Sequence, residues 1–141
     1  MTKNKTQLSA LLAATAAAII YGGWAIYANF EHGAHAWGMA GIVQATYAFV
    51  STLTITHIAH WVFLKSNGGL RGVITGFIAS FIVMAAIPVT IHNIAATPDI
   101  LQTILPGLIW GSGYLLAFLI ATHKNHQKHV TNAHNDQNIQ T

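Results

Sequence analysis

Charged side chains interrupt this chain at only a few points, and between them lie four long apolar runs. The first extends from Thr6 to Phe30 and stops at Glu31, and the second from Gly33 to Leu64, stopping at Lys65. The third follows Arg71 and runs from Gly72 to Pro98, and the fourth covers Ile100 to His123, between Asp99 and Lys124. A spanning helix needs about 20 mainly apolar residues to cross a hydrocarbon core about 30 Å thick, and every run reaches that length. Lipid offers the backbone no hydrogen-bond partner, so the runs read as helices, and the period-two alternation of a barrel is absent. The pattern predicts an all-α membrane protein, an antiparallel bundle of four transmembrane helices at about 8–30, 37–64, 71–93 and 98–122. They form one domain, 8–123, between a short N-terminal segment, 1–7, and a polar His-rich tail, 124–141.

The basic residues orient the bundle. Lys3 and Lys5 precede the first run, Lys65 and Arg71 bracket the turn between the second and third, and Lys124 and Lys128 follow the fourth. The other two loops carry Glu31 and Asp99 and neither Lys nor Arg. The positive-inside rule then makes both chain ends cytoplasmic and the expected location the inner membrane of a bacterial-type cell. Tyr21, Trp24, Tyr27 and Trp37 gather around the first outer loop, and Trp61 and Phe63 close the second run, as an interfacial aromatic belt would. Lys3 and Lys5 before an Ala-rich stretch also resemble a signal peptide cleaved after Ala16 or Ala18. The apolar run continues through Ile19, Ile20, Trp24 and Ile26, which favours a spanning helix.

Composition sharpens this picture. Of 141 residues, 53% are hydrophobic and 6% charged, against about 25% charged in soluble domains. With no cysteine, disulfides, thiolate nucleophiles and Cys-based zinc sites are excluded. The net charge of +3 comes from a few dispersed residues, so nucleic acid is not an expected partner and the lipid bilayer is.

Packing signals lie on three runs. Ala10, Ala14, Ala18 and Gly22 recur every four residues on the first, Gly72, Gly76 and Ser80 on the third, and Gly107 and Gly111 on the fourth. Such faces let helices meet closely, within the bundle, in a homo-oligomer or against a membrane-protein partner. Pro88 and Pro106 each remove a helix donor and free the carbonyls of Met84 and Gln102. Thr97, Pro98 and Asp99 read as N-cap, first residue and first-turn acid of the fourth helix.

Candidate chemistry is sparse. No Asp, Glu, Lys or Arg falls inside a run, which disfavours carboxylate-coupled antiport and an Arg-lined pore. Gln44, Tyr47, Ser51, Thr54, His57 and His60 follow at intervals of three or four on the second run. This stripe is the candidate substrate-binding face, lining a cavity, or else a set of interhelical hydrogen bonds. His57 and His60 lie toward the cytoplasmic end as a candidate metal or proton-relay pair, with His92 too near the opposite end to join them. Two further histidine groups are candidate metal ligands: His32 and His35 with Glu31 in the first loop, and His123, His126 and His129, with His134 beyond, in the tail. A solvated loop and a polar, partly disordered tail are the plainer readings. No phosphate-binding loop, dinucleotide fingerprint or nucleophile elbow is present, so no catalytic residue and no cofactor is expected, a metal ion aside.

Tyr21-Gly22-Gly23-Trp24-Ala25, His32-Gly33, Gln44, Thr97-Pro98 and Thr103-Ile104-Leu105-Pro106-Gly107 together resemble small four-helix inner-membrane proteins of Gram-negative bacteria. The resemblance implies the same fold and no particular activity. Trp61-Val62-Phe63 before a basic turn is similar to the GtrA-like group, but Ala59 and His60 stand where that group carries Asn and Arg. The expected function is an accessory or scaffolding subunit acting through helix contacts. The alternatives are a small transporter or translocase of a lipid-linked or weakly polar solute, using the stripe on the second helix, and metal binding through the histidines.

Overall fold

The structure, a computed structural model, describes residues 2–139, with side chains described at 8, 10–128 and 130–132. It is helical: α1 (Thr2–Ala28), a 3-10 turn (Phe30–His32), α2 (Ala34–Lys65), α3 (Gly69–Ile94) and α4 (Ile100–Ile139). All four α-helices are long and apolar enough to cross a membrane. α2 begins at Ala34, three residues before the expected 37, and α4 carries on through the polar tail to Ile139.

The distribution of side chains is inside-out for a water-soluble protein. Leu12, Ile19, Ile42, Ile78, Leu101 and Ile109 face outward, while Ala14, Ala25, Ala40, Ala48, Ala59 and Ser80 are buried. Lipid tails are as apolar as leucine, so large apolar side chains belong at the rim and small ones where backbones approach. α1 packs chiefly on α2, α2 on α3 and α3 on α4, with α2 also meeting α4 across the bundle. The α1–α2 crossing is closest at Gly22 and Gly41, where a β-carbon would stand 2.8 Å from Ala45 Cβ and 2.5 Å from Ile26 Cγ1. On α3, Gly72 lies against Phe63 and Gly76 against Ala59 and Leu119. Gly72, Gly76 and Ser80 of the third face and Ala14 and Gly22 of the first lie inside the bundle, while Ala18, Gly107 and Gly111 are half-buried and Ala10 is exposed.

One end of the bundle, the turn end, holds the α2–α3 turn and a dry core of Ala59, Phe63, Val73, Leu115 and Leu119, flanked by Phe77 and Phe118. α2 stops there in a Schellman closure: the Gly68 N–H donates to Phe63 O (3.0 Å) and Asn67, at φ 62°, to Leu64 O (3.1 Å). Gly68 is itself at φ 63° with His126 packed beneath it, so the position requires glycine. The other end, the loop end, holds the 3-10 turn and the α3–α4 link. α3 closes in the same way: the Thr97 N–H donates to His92 O (3.0 Å) and Ala96, at φ 52°, to Asn93 O (3.1 Å). This corrects the expected role of Thr97. It belongs to the end of α3, and α4 begins at Ile100 with Asp99 O accepting from the Thr103 N–H (2.9 Å).

Both helix-interior prolines leave a carbonyl without its helical donor, and each carbonyl finds a donor on another helix. The Tyr47 hydroxyl donates to Met84 O at 2.8 Å, opposite Pro88. Trp24 Nε1–H donates to Gln102 O at 2.8 Å, opposite Pro106.

Candidate functional site: a polar lid over an intramembrane cavity

The loop end is sealed by side chains that satisfy one another. Asn29, fully buried just beyond α1, donates through Nδ2 to Ala25 O (2.9 Å) and Thr103 Oγ1 (2.7 Å). The Thr103 hydroxyl donates to Asp99 O (2.7 Å), and the Asp99 N–H returns to Asn29 Oδ1 (3.1 Å). This ring ties the end of α1 to the start of α4. Outside it, His32 Nε2 meets Asp99 Oδ2 at 2.6 Å, both side chains 43% exposed. Exposed pairs of this kind contribute about 0–1 kcal/mol.

Beneath the ring sits His92, with 0% exposure. Its Nε2 lies 2.8 Å from Gln44 Oε1 and its Nδ1 2.9 Å from Thr97 Oγ1. An amide oxygen only accepts, so Nε2 carries the proton; Nδ1 of the neutral ring then accepts from the Thr97 hydroxyl. The backbone closure at Ala96 is what brings Thr97 back over the ring. Neither His92 nor Thr97 belongs to the sequence-predicted site. α2 begins about 15 Å of helix before Gln44, whereas His92 is about 3 Å from the end of α3. Counting from the helix ends therefore places the two at different depths, and only the overhang of α2 brings them level.

Gln44 faces a cavity of about 270 Å³ below His92, between the four helices. Tyr47 and Ser51 line it from α2, Ala17 and Tyr21 from α1, Pro88 from α3 and Gly107 from α4. Its described lining contains no Asp, Glu, Lys, Arg or His. Most of the hydroxyls facing it are engaged with backbone: Tyr47 with Met84 O, and Ser51 and Thr52 with Ala48 O at 3.3 and 2.7 Å. Gln44 differs. It is 2% exposed and its oxygen is engaged by His92, but its Nε2 has no hydrogen-bond partner among the described residues. That nitrogen borders Gly107, 3.6 Å from where a β-carbon would stand.

The expected stripe therefore divides. Gln44, Tyr47 and Ser51 line the cavity, while Thr54 is exposed and bonds its own helix at Val50 O (2.9 Å), and His57 and His60 are exposed. At about 100° per residue, His57 and His60 lie about 140° and 160° around the helix from Gln44. Steps of three and four drift too far to keep six residues on one face.

The remaining histidines are scattered. His32 pairs with Asp99, and His35 is exposed at the start of α2. His126 packs under Gly68 and edge-on to Phe63, ring centroids 5.7 Å apart. His123 has a buried Nδ1 without a hydrogen-bond partner, and the side chain of His129 lies outside the described residues. Among the described residues, no three His, Cys, Asp or Glu side chains converge as a metal site would require. No family model, curated protein or solved structure matches the chain.

Proposed function

We propose that this is a small transporter or translocase that holds a lipid-linked or weakly polar solute in the cavity between its helices. The supporting observation is Gln44: a buried amide that lines the cavity and whose Nε2, beside Gly107 of α4, has no hydrogen-bond partner among the described residues. Scaffolding through helix contacts, the rival reading, drew on the small-residue faces, and Ala14, Gly22, Gly72, Gly76 and Ser80 are all buried within the bundle. Metal binding has weaker support, because His32, His35, His123 and His126 do not gather.

The proposal includes a topology. The six Lys and Arg flank the turn end, so that end is cytoplasmic, in the inner membrane, and the polar lid faces outward. Cysteines placed singly in this cysteine-free chain test it: Glu31→Cys should react with an impermeant maleimide added outside intact cells, and Leu70→Cys only after permeabilisation. The reverse pattern refutes the orientation.

For the solute itself, native mass spectrometry of protein released gently from membranes should show a bound small molecule. Ala17→Phe, which projects a ring into the cavity, should abolish it while the protein still melts cooperatively. A protein released bare from its native membrane would remove the cavity reading.

A further inference from the structure

A second hollow adjoins the first. An open groove between α1 and α4 on the lipid-facing side is lined by Ile20, Gly23, Trp24, Leu105, Pro106 and Ile109. Tyr21 and Trp110 border both the groove and the cavity, and Trp110 is 72% exposed. These two aromatic side chains are all that is shared between the hollows, so they form the threshold from the lipid to the interior. The polar ring of Asn29, Thr103 and Asp99 closes the loop end above, and the dry core around Phe63 and Leu119 closes the turn end below. The open side faces the bilayer.

The chemistry of the interior selects what could stay there. Gln44 Nε2 offers donors and no acceptor. The Tyr21 hydroxyl also has no partner among the described residues. The hydroxyls of Tyr47, Ser51 and Thr52 already donate to carbonyls. With no cationic side chain lining the cavity, a phosphate or carboxylate would lose its hydration without a counter-charge, which is prohibitive inside a membrane. A neutral carbonyl oxygen suits the amide and adds no buried charge. The volume, about 270 Å³, lies just below the usual range of ligand sites, about 300–1,000 Å³. That accommodates a single ring or an ester group but not a nucleotide, and the groove could take a hydrocarbon tail.

Building on the solute-binding reading above, we infer that the cavity is a site for an uncharged, carbonyl-bearing lipid that reaches it sideways from the bilayer between α1 and α4, past Tyr21 and Trp110. The carbonyl accepts from Gln44 Nε2, the amide being held in place by the hydrogen bond its oxygen accepts from His92 Nε2–H, and the tail lies along Leu105 and Ile109. A quinone ring and a glyceryl ester both present that chemistry.

The test uses the full-length protein in phosphatidylcholine nanodiscs, with tryptophan quenching by decyl-ubiquinone as readout. Dioctanoylglycerol, decane and decanoate serve as competitors. Saturable quenching is expected, displaced by dioctanoylglycerol if an ester carbonyl competes and resistant to it if only the quinone ring is accepted. Either result supports carbonyl recognition. Gly107→Ala, whose methyl group meets Gln44 Nε2 at ordinary contact distance, should weaken binding about tenfold, and Gln44→Leu at least as much. Gly107→Ala keeps the test decisive if Gln44→Leu does not fold. Gly23→Trp, at a position with open space around it in the groove wall, should slow both association and dissociation. Equal displacement by decane, or affinity indifferent to Gly107→Ala, overturns the carbonyl assignment, and unchanged rates in Gly23→Trp overturn the lateral route. A small molecule retained in native mass spectra that decyl-ubiquinone and dioctanoylglycerol cannot displace would sink this inference alone, whereas a bare protein sinks the solute-binding reading with it.

Discussion

Removing the Tyr47 hydroxyl tests whether the prolines and the interhelical aromatics form one device. Tyr47→Phe keeps the ring and deletes the donor that reaches Met84 O at 2.8 Å. Pro88 supplies no N–H to that carbonyl, and Met84 and Pro88 are both buried. A buried acceptor left unsatisfied costs about 1–3 kcal/mol, while measured interhelical bonds in membranes average about 0.6 and reach about 1.7 kcal/mol. The expected loss is therefore about 1–1.5 kcal/mol. In a Pro88→Ala background the restored N–H at position 88 takes up Met84 O, and Tyr47→Phe should then cost less than about 0.5 kcal/mol. The double-mutant cycle thus predicts a coupling near 1 kcal/mol, read from unfolding free energies by steric trapping in bicelles. Additive costs, with coupling under about 0.3 kcal/mol, would refute the claim that Tyr47 replaces the donor that the proline removes.

The second proline gives the matching contrast: Gln102 lies in the first turn of α4, at the end of its span, and is exposed, so Trp24→Phe and Pro106→Ala should couple by under about 0.5 kcal/mol in the same cycle. Ala96 holds φ 52°, a conformation that costs a residue with a β-carbon about 1–2 kcal/mol; Ala96→Gly should raise the melting temperature in detergent, and a lowered one contradicts the Schellman assignment. Gly22→Ala drives a β-carbon to 2.8 Å from Ala45 Cβ, whereas Gly23→Ala meets nothing within 4 Å. The first should destabilise by about 1–3 kcal/mol and the second be neutral or slightly stabilising, as differential melting of the two variants would show.

The sequence carried the backbone's needs more plainly than the side chains' destinations. Four charge-free runs are enough to predict four helices, because in lipid no other backbone state satisfies its own hydrogen bonds. The same local logic marks Met84 O and Gln102 O as wanting donors, since a proline's effect reaches only four residues back. Which residues answer is a tertiary matter: Trp24 reads as belt and Tyr47 as stripe, and both also act as caps. Thr97 shows the opposite failure. Its type and its place before Pro98 suit an N-cap, but the left-handed Ala96 folds it onto His92, and nothing about alanine announces a positive φ. The tail from His123 reads as a separate polar segment because its composition changes there, yet α4 passes through that change to Ile139.

The same distinction bears on function. A polar residue within a membrane span is either glue or site, and the difference is whether any hydrogen-bonding capacity remains after packing. Six residues of α2 look equivalent by type and spacing. Ser51 and Thr54 satisfy themselves on their own helix, Tyr47 is engaged across the bundle, and His57 and His60 turn outward. Gln44 alone of the six is buried, is engaged by His92 through its oxygen, and lines the cavity with an Nε2 that has no hydrogen-bond partner among the described residues. An amide has two ends, and here one is engaged by an imidazole and the other is not. That asymmetry follows from the overhang of α2 past α3, which composition and spacing do not encode. It makes a single residue, rather than the stripe as a whole, the place where a ligand would be recognised.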